Sequence, residues 1–371
     1  MNFKIPLASP DLRGNEEKYV CEAIRSGWIG TGQFINQFES EYARLCGTRT
    51  AIACANGTVA LHLALLALDV KPGDEVIVPS FTYVATANAV RYCGAEPVFI
   101  DVQPDTWCMN PDCIEPAITS RTRGIIPVHL YGHPADMDPI NDIAKKYKLW
   151  VIEDAAEAAL AQYKGKSVGG LSDVATFSFH ITKVFTSGEG GALTLSDERL
   201  ESLIRLMYSH GMDSKRRFYF PIVGYNYRLT NLSAAILCAQ IERHESLLER
   251  RHEIFRIYTD MLRDTPGISL RPIASWAKLS PWLFSITVDT AAFGHSREVL
   301  MSTLAQNGID SRPFFIPVHT LPAFNKSQAE SNMDLSLTNQ LCRSGVNLPT
   351  YTTMTDDQVE DVCNTIKRMV N

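Results

Sequence analysis

The first two hundred residues alternate between two patterns of apolar positions, and each pattern predicts one kind of element. Short β-branched and apolar runs predict strands, whereas apolar residues spaced three or four positions apart predict helices. The strands predicted in this way are Ala51–Cys54, Glu75–Val78, Pro97–Val102, Gly124–His129 and Trp150–Asp154. Helices are predicted to begin near Thr58, Tyr83 and Pro139, after an amphipathic lead-in helix over Asn15–Arg25. This alternation predicts an α/β fold with mostly parallel strands joined by crossover helices.

The regular alternation ends after Gly191. The elements predicted beyond it are strands at Ala192–Ser196 and Leu283–Val288, and helices reaching Leu206, within Leu229–Ile254, near Ser296–Gln306 and over Asp356–Met369. We therefore predict a large domain over residues 1–245 and a smaller C-terminal α+β domain over residues 246–371.

The composition indicates a globular enzyme. The chain has 371 residues, of which 45% are hydrophobic and 20% charged, so it can bury a substantial core. Its formal net charge of -6 argues against a nucleic-acid partner, which would require a concentrated positive surface. The start Met1–Pro6 lacks the pattern of a secretory signal, and the apolar stretch Thr58–Val70 is too short to cross a bilayer, so we expect a cytoplasmic protein without a membrane partner. The nine cysteines are scattered without a CxxC spacing, which indicates reduced thiols and no metal site.

A lysine stands where an apolar strand meets a glycine-rich turn. The run that begins at Thr176 leads to Lys183, and well upstream the strand Trp150–Asp154 ends on a carboxylate. This pair is what pyridoxal 5'-phosphate (PLP) requires, because the lysine forms a Schiff base with its aldehyde and Asp154 pairs with its protonated pyridine nitrogen. The alternatives are that Lys183 is an exposed loop residue and that Asp154 caps a helix over Ala155–Leu160.

A phosphate site is predicted between the first strand and the helix that follows it. Asn56, Gly57 and Thr58 combine a helix N-terminus with a hydroxyl group and a glycine that permits close approach. Ser178 lies on the strand that leads to the lysine and has a hydroxyl group to donate to the same phosphate. The alternatives are that Thr58 only caps the helix and that Ser178 is an ordinary polar strand residue.

Six motifs appear together in order along the chain. They are Asn56-Gly57-Thr58, Pro79-Ser80-Phe81-Thr82-Tyr83, Glu153-Asp154-Ala155-Ala156-Glu157, Ser178-Phe179-His180 through Lys183, Gly188-Glu189-Gly190-Gly191 and Gly224-Tyr225-Asn226-Tyr227-Arg228. In this combination the chain resembles the DegT/DnrJ/EryC1/StrS sugar aminotransferases over nearly its whole length. The resemblance implies PLP-dependent transferase fold type I, the aspartate aminotransferase-like architecture.

The resemblance also implies a role for each motif residue. Lys183 is the Schiff-base residue and Asp154 the partner of the pyridine nitrogen, and both are catalytic. The remaining cofactor-binding residues are Gly57, Thr58 and Ser178 at the phosphate, Tyr83 stacked on the ring, and Glu157 facing the cofactor. The alternatives are that Tyr83 belongs to the core and that Glu157 is a solvated helix residue.

Two further residues are implied to act at a shared site. Asn226 reaches the phosphate bound by the neighbouring subunit, which implies a homodimer with shared active sites, and Arg228 meets the carboxylate of the amino-acid donor. The alternative is that these two residues form a turn and a surface charge.

Some stretches are most similar to one branch, the GDP-perosamine synthases, which implies a 4-keto-6-deoxyhexose substrate such as GDP-4-keto-6-deoxymannose. They are Val128 to Pro134, His210 to Met212, Gly224 to Asn231, and Ser311 to Phe315 with Pro317 and His319. Arg312 and His319 are candidate contacts for the sugar or diphosphate, unless Arg312 forms a structural ion pair and His319 is a packed loop residue. The chain departs from the branch at Leu160, where glycine is usual, and at His180 to Thr182, where Tyr-Gly-Asn is frequent.

The function expected from these observations is a two-step transamination. An amino acid, expected to be L-glutamate, converts PLP to pyridoxamine 5'-phosphate, which then aminates a ketone of a nucleotide-diphospho-sugar. One alternative is a PLP-dependent sugar dehydratase of the same family, in which histidine replaces the lysine, so that Lys183 argues against it. The other alternative is a catalytically silent PLP-fold regulatory protein, since a fold alone does not establish activity.

Overall fold

A seven-stranded sheet forms the centre of the larger part of the chain. The computed structural model describes residues 3–325 and 333–370, so Met1 and Asn2 of the N-terminal start lie outside it. The strands of this sheet are β1 (Thr50–Cys54), β2 (Glu75–Pro79), β3 (Glu96–Ile100), β4 (Thr122–Ile125), β5 (Trp150–Asp154), β8 (Val174–Ser178) and β9 (Gly191–Leu195). Their order across the sheet is β1-β9-β8-β5-β4-β2-β3. The five strands predicted in the first half of the chain are therefore confirmed, with ends that differ by up to four residues.

One strand of this sheet runs against the others. Strands β8, β5, β4, β2 and β3 pair in parallel, whereas β9 pairs antiparallel with β1 on one side and with β8 on the other. The exception has a local cause, because the chain between Ser178 and Gly191 holds a glycine-rich turn and no crossover helix. The predicted mostly parallel sheet is confirmed.

Helices cover both faces of this sheet. They are α1 (Glu16–Ser26), α2 (Gln33–Cys46), α3 (Gly57–Ala67), α4 (Ala85–Tyr92), α5 (Ile114–Ala117), α6 (Met137–Tyr147), α7 (Glu198–Met207) and α8 (Asn231–Glu242). Successive strand residues point to opposite faces, so Ile77 of β2 belongs to the same core cluster as residues of α2, α6 and α8, whereas Val76 and Val78 belong to the cluster that includes residues of α3, α4 and α7. Burial on both faces explains why these strands are almost continuously apolar.

The predicted lead-in helix is present as α1, which packs on α8. It ends at Gly27, whose φ of 73° lies in the left-handed region that glycine adopts without a steric penalty. The turn at this glycine directs the chain into α2, which also packs on α8.

A second sheet lies in the C-terminal part of the chain. Strands β10 (Ile268–Leu270), β12 (Phe284–Val288), β14 (Gly345–Leu348) and β13 (Arg312–Pro313) pair antiparallel in that order. The helices of this part are α9 (His244–Leu262), α10 (Thr290–Phe293), α11 (Arg297–Gln306), α12 (Ser336–Ser344) and α13 (Asp356–Lys367). A small third sheet consists of β11 (Ala277–Lys278), β6 (Gln162–Tyr163) and β7 (Lys166–Ser167).

The second sheet has its own core, formed with α9, α11 and α13. Ile5 near the N-terminus belongs to the same core and forms a parallel bridge with Ile309. Helix α8 ends at Glu242 and α9 begins at His244, so the helical structure is interrupted at Arg243, close to the predicted domain boundary. The division between residues 245 and 246 stays a prediction.

None of the helices within residues 3–325 and 333–370 combines the length and the apolar character that crossing a membrane requires. The cytoplasmic location stays a prediction. The nine cysteines all carry free thiols, and most of them are buried.

Candidate active site

The candidate residues converge at one edge of the seven-stranded sheet. Strands β1, β5 and β8 are parallel, so their carboxyl ends bring Asn56, Asp154 and Ser178 to the same edge. Strand β9 begins there, because Gly191 pairs with both Cys54 and Ser178. The carboxyl edge of a parallel sheet is the usual place for a ligand in open α/β folds.

Lys183 is largely buried at this edge. Its side chain is 14% exposed, and Nζ lies 3.9 Å from Oε1 of Glu157. The same Nζ lies 3.6 Å from the centre of the Trp282 ring. Burial lowers the pKa of Lys183, and the charges of Glu157 and Asp154 oppose this effect. The alternative of an exposed loop lysine is therefore wrong.

Asp154 is buried and accepts hydrogen bonds from two directions. Thr86 Oγ1 donates to Oδ2 over 2.7 Å, and the backbone N–H of Ala156 donates to Oδ1 over 3.2 Å. Burial raises the pKa of Asp154, and these hydrogen bonds oppose the rise. Residues 155–160 form turns rather than a helix, so the alternative of a helix-capping carboxylate is wrong.

Glu157 faces the lysine from the turn after β5. The residue is 5% exposed, and its carboxyl group accepts a hydrogen bond of 2.8 Å from the backbone N–H of Tyr131. Burial raises the pKa of Glu157 to about 7. The alternative of a solvated helix residue is wrong, and the group can gain or lose a proton near neutral pH.

The N-terminus of α3 supplies the predicted phosphate site. Asn56 Oδ1 accepts a hydrogen bond from the N–H of Val59, so Asn56 and not Thr58 caps this helix, contrary to the alternative for Thr58. In the described residues the N–H groups of Gly57 and Thr58 have no acceptor, which leaves two donors at the positive end of a helix.

Close packing at Gly57 brings the two parts of this site together. A Cβ atom at Gly57 would lie 2.9 Å from Cβ of Ser178, so a larger residue would separate the helix from β8. This glycine therefore permits the approach of the Ser178 hydroxyl group to the free N–H groups of α3. Two N–H donors and two hydroxyl groups at a helix N-terminus fit a phosphate group.

Tyr83 and Phe315 form an aromatic pair beside the site. The Tyr83 side chain is 57% exposed, so the alternative of a core residue is wrong. Its ring centre lies 5.6 Å from that of Phe315, whose backbone N–H donates a 3.4 Å hydrogen bond to the Tyr131 hydroxyl group. An exposed, supported ring at this position suits stacking on a planar cofactor.

Asn226 and Arg228 are exposed next to the end of β1. Arg228 Nη2 donates to Asn226 Oδ1 over 3.2 Å, and the backbone N–H of Ala55 donates to the carbonyl of Tyr227 over 2.8 Å. The preceding segment exposes five large apolar side chains, those of Phe218, Tyr219, Phe220, Ile222 and Val223. The roles of Asn226 and Arg228 between subunits stay predictions.

Arg312 and His319 lie on the segment that carries Phe315. Arg312 is exposed on β13 and has no ion pair with any residue in 3–325 or 333–370, so its structural alternative finds no support there. His319 is half-buried, its backbone N–H donates to Ser80 Oγ, and the same Oγ forms a 2.6 Å hydrogen bond with the ring Nδ1. Burial lowers the pKa of His319, which favours the neutral ring. Their contacts with a substrate stay predictions.

Leu160 and His180 lie where the chain departs from the branch. Leu160 has a φ of 65°, in the left-handed region that favours glycine, and it lines a cavity of about 530 Å³ that is also bordered by Gln162 and Leu248. His180 Nδ1 lies 3.1 Å from the hydroxyl group of Thr182. Their effect on the cofactor or sugar stays untested.

The sequence did not indicate three residues of the site. Thr86 holds Asp154, Tyr131 holds Glu157 through its backbone, and Trp282 covers Lys183. Thr86 lies three residues beyond Tyr83, near the start of a predicted helix, and this spacing could have indicated that its side chain lies close to the site. Trp282 follows no comparable pattern.

Known proteins resemble this chain over nearly its whole length. Residues 10–367 match the DegT/DnrJ/EryC1/StrS aminotransferase family. A relative named GDP-perosamine synthase, from Caulobacter vibrioides, is 44% identical over 97% of this chain and 96% of its own length.

Solved structures give the same result at the level of the fold. The aminotransferase TlmJ from Streptoalloteichus hindustanus superimposes with a TM-score of 0.92 at 27% identity, covering 98% of both chains. The PLP-form of Spr1654 from Streptococcus pneumoniae gives a TM-score of 0.90 at 29% identity, covering 99% of this chain and 98% of that chain. The aspartate aminotransferase-like fold type I predicted from the motifs is confirmed.

Proposed function

The chain belongs to the DegT/DnrJ/EryC1/StrS aminotransferase family, and we propose that it uses PLP to transfer an amino group to a keto carbon of a nucleotide-diphospho-sugar. The observation that carries this proposal is a buried lysine amine that lies 3.9 Å from Glu157, at the sheet edge where Asp154 is also buried. The name and 44% identity of the GDP-perosamine synthase relative support the same activity.

The residues at the sheet edge fit the proposed cofactor. Gly57, Thr58 and Ser178 would hold its phosphate, Tyr83 would cover its ring, and Asp154 would accept a hydrogen bond from its pyridine nitrogen. When bound, PLP supplies an aldehyde that carries the amino group and a ring that withdraws electrons from the substrate carbon. The two free N–H groups of α3 and the buried carboxylate match the two charged ends of this molecule.

The protein's own groups would then control the position of protons. Asp154, kept ionised in part by Thr86, would hold the proton on the pyridine nitrogen. Lys183 would move the proton at the substrate carbon, a task that an amine with a lowered pKa performs more readily than an ordinary lysine. Glu157 would balance the charge of that amine.

The proposed amino donor is L-glutamate, and the proposed acceptor is GDP-4-keto-6-deoxymannose. Arg228 would bind the donor carboxylate, since a guanidinium group can contact both oxygens of a carboxylate. Arg312 and His319 would contact the sugar or diphosphate from the segment that also carries Phe315. An exposed arginine without an ion pair in the described residues is suited to a phosphate.

The proposed active unit is a homodimer in which Asn226 of the partner subunit completes the phosphate site. The exposed apolar segment 218–223 supports this proposal, because a patch of this kind beside a site residue is typical of a subunit interface. Asn226 itself is exposed within one chain.

Spectroscopy tests the function directly. The purified protein with PLP should be yellow, and L-glutamate alone should convert it to the colourless pyridoxamine 5'-phosphate form. Addition of a GDP-linked 4-keto-6-deoxy sugar should restore the yellow colour, whereas UDP- and dTDP-linked sugars should restore it less. Borohydride reduction followed by peptide mapping should place the cofactor on Lys183.

Two variants serve as the test and its control. Lys183→Ala should abolish the response to glutamate, whereas Lys215→Ala, at an exposed lysine, should retain it. A protein whose spectrum ignores every amino acid, or a cofactor adduct on another lysine, would refute the proposal and favour a catalytically silent relative.

A further inference from the structure

Trp282 makes two contacts with the segment that carries the catalytic amine. Its ring centre lies 3.6 Å from Nζ of Lys183, and its indole N–H donates a 2.7 Å hydrogen bond to the backbone carbonyl of Thr182. The side chain is 6% exposed, so both contacts are shielded from water. The indole therefore fixes the backbone before the lysine and covers the amine itself.

Arg251 of α9 binds the backbone at this tryptophan. Its Nη1, which carries two hydrogens, donates to the carbonyls of Pro281, Trp282 and Thr350 over 3.2, 3.0 and 3.2 Å, so that one hydrogen is shared between two acceptors. The arginine is 2% exposed, and in the described residues no carboxylate accepts a hydrogen bond from it. Burying a charge without a carboxylate partner costs free energy. The three carbonyl groups offset this cost by accepting hydrogen bonds, and the guanidinium group in turn holds their backbone segments in one position.

Glu157 faces the amine from another direction. Its Oε1 lies 3.9 Å from Nζ, and its Oε2 accepts the N–H of Tyr131, whose ring centre lies 6.0 Å from that of Trp282. The electron-rich face of an indole attracts a cation more strongly than other aromatic rings do, and a carboxylate attracts it as well. Both groups therefore favour the charged amine, while burial opposes it.

We propose that Trp282 is a further catalytic residue, whose ring face binds the Lys183 ammonium group whenever that amine is free, and that Arg251 is its positioning residue. The proposal rests on the proposed function, in which Lys183 is free while the amino group resides on the cofactor. A bound ammonium group remains next to Glu157, where it can donate a proton to the substrate carbon, and it can accept a proton only after it has lost its own. Without the indole, the four-carbon side chain would be free to adopt other rotamers.

Fluorinated tryptophan tests the contact without changing the shape of the ring. Full-length protein is produced with tryptophan or with mono-, di- or trifluorotryptophan, and then loaded with pyridoxamine 5'-phosphate so that Lys183 is free. Trace acetylation at several pH values, quantified by peptide mass spectrometry, reports how much of the amine is uncharged. Fluorine withdraws electron density from the ring face and so weakens its attraction for the ammonium group. At a pH below the pKa of the amine, acetylation of Lys183 should therefore rise with each added fluorine, to about threefold.

Three comparisons make the result specific. Acetylation of the exposed Lys215 in the same sample corrects for differences in the amount of reagent. The Trp282→Phe variant, which keeps the other four of the five tryptophans fluorinated, should show no fluorine dependence at Lys183. Equal acetylation across the fluorine series in the unmutated protein, or an equal response in Trp282→Phe, would overturn the inference. Failure to bind pyridoxamine 5'-phosphate, which is seen in its own absorbance, would instead contradict the proposed function.

Discussion

Thr86 donates its hydroxyl hydrogen to Asp154 Oδ2 across 2.7 Å, in a place that water does not reach. A hydroxyl group has one hydrogen to donate, so the 2.9 Å contact between Thr82 and Thr86 requires Thr82 to be the donor. The result is a chain of hydrogen bonds that runs from Thr82 through Thr86 to the carboxylate. This chain opposes the effect of burial and favours the ionised form that a protonated pyridine nitrogen requires.

Replacement of Thr86 by valine should weaken cofactor binding. The variant keeps the volume of the side chain but leaves the buried Asp154 without its side-chain donor, so its pKa should rise further. We expect the dissociation constant of PLP, measured by equilibrium dialysis, to increase about tenfold, as for one hydrogen bond to a charged group. Thr176→Val is the control, because Thr176 is also buried but donates to the backbone carbonyl of Glu153. Equal effects of the two variants would contradict a specific role for Thr86.

Glu157 should make the stability of the cofactor-free protein depend on pH. Burial raises its pKa from an ordinary value of 4.5 to about 7, so the folded state binds the proton more tightly than the unfolded state does. This contribution is fully present below pH 4.5 and is lost as the pH rises through about 7. Relative to Glu157→Gln, the free energy of unfolding of the wild type should fall by about 3 kcal/mol over this range in denaturant titrations. If the free energies of unfolding of the two proteins depended on pH in the same way, the pKa of Glu157 would not be raised in the folded state.

Shared active sites predict that two inactive variants restore each other. In a dimer of one Lys183→Ala subunit and one Asn226→Ala subunit, one site lacks both residues and the other retains both. Statistical mixing of equal amounts makes half of the dimers mixed, so activity should return to about a quarter of the wild-type value. The assay is amino transfer after the subunits are unfolded together and refolded. If Asn226 serves the site of its own chain, the mixture should stay as inactive as its components.

Loss of Arg251 should destabilise the C-terminal part of the chain. Arg251→Met retains much of the apolar volume but leaves three buried carbonyls without their donor. We expect the free energy of unfolding to fall by about 3 kcal/mol in denaturant titrations. Arg256→Met, at an exposed position of the same helix, should change it by less than about 0.5 kcal/mol. A small effect at both positions would show that the three hydrogen bonds contribute little.

Local features explain why much of the fold was predictable from the sequence. Strands such as Trp150–Asp154 are apolar runs bounded by polar residues, and their residue types decide both the element and its end. Asp154 ends β5, and the Asn56 segment and Lys183 come shortly after the ends of β1 and β8, so the parallel order of those strands was enough to bring them together. A predicted helix over Ala155–Leu160 was wrong as an alternative, since this segment turns back instead of continuing.

The parts that could not be predicted depend on packing between distant segments. Trp282 is far from Lys183 in the sequence, and nothing in its neighbours distinguishes a residue over an amine from an ordinary core tryptophan. The same holds for Arg251, which reads as one charge among several on an amphipathic helix but is 2% exposed. Leu160 shows a further limit, because its left-handed backbone conformation is visible only in the structure.

The pairing of β1 with β9 also affects how the chain is made. Thr50 pairs with Leu195 and Cys54 with Gly191, so the first strand of the sheet has no neighbour until the ribosome has synthesised the whole βα series that follows. A high separation between partners slows folding, since a long loop must close before the contact forms. The Asn56 turn therefore acquires its final surroundings late, and a nascent chain that ends before Gly191 exposes an apolar strand edge on which chaperones can act.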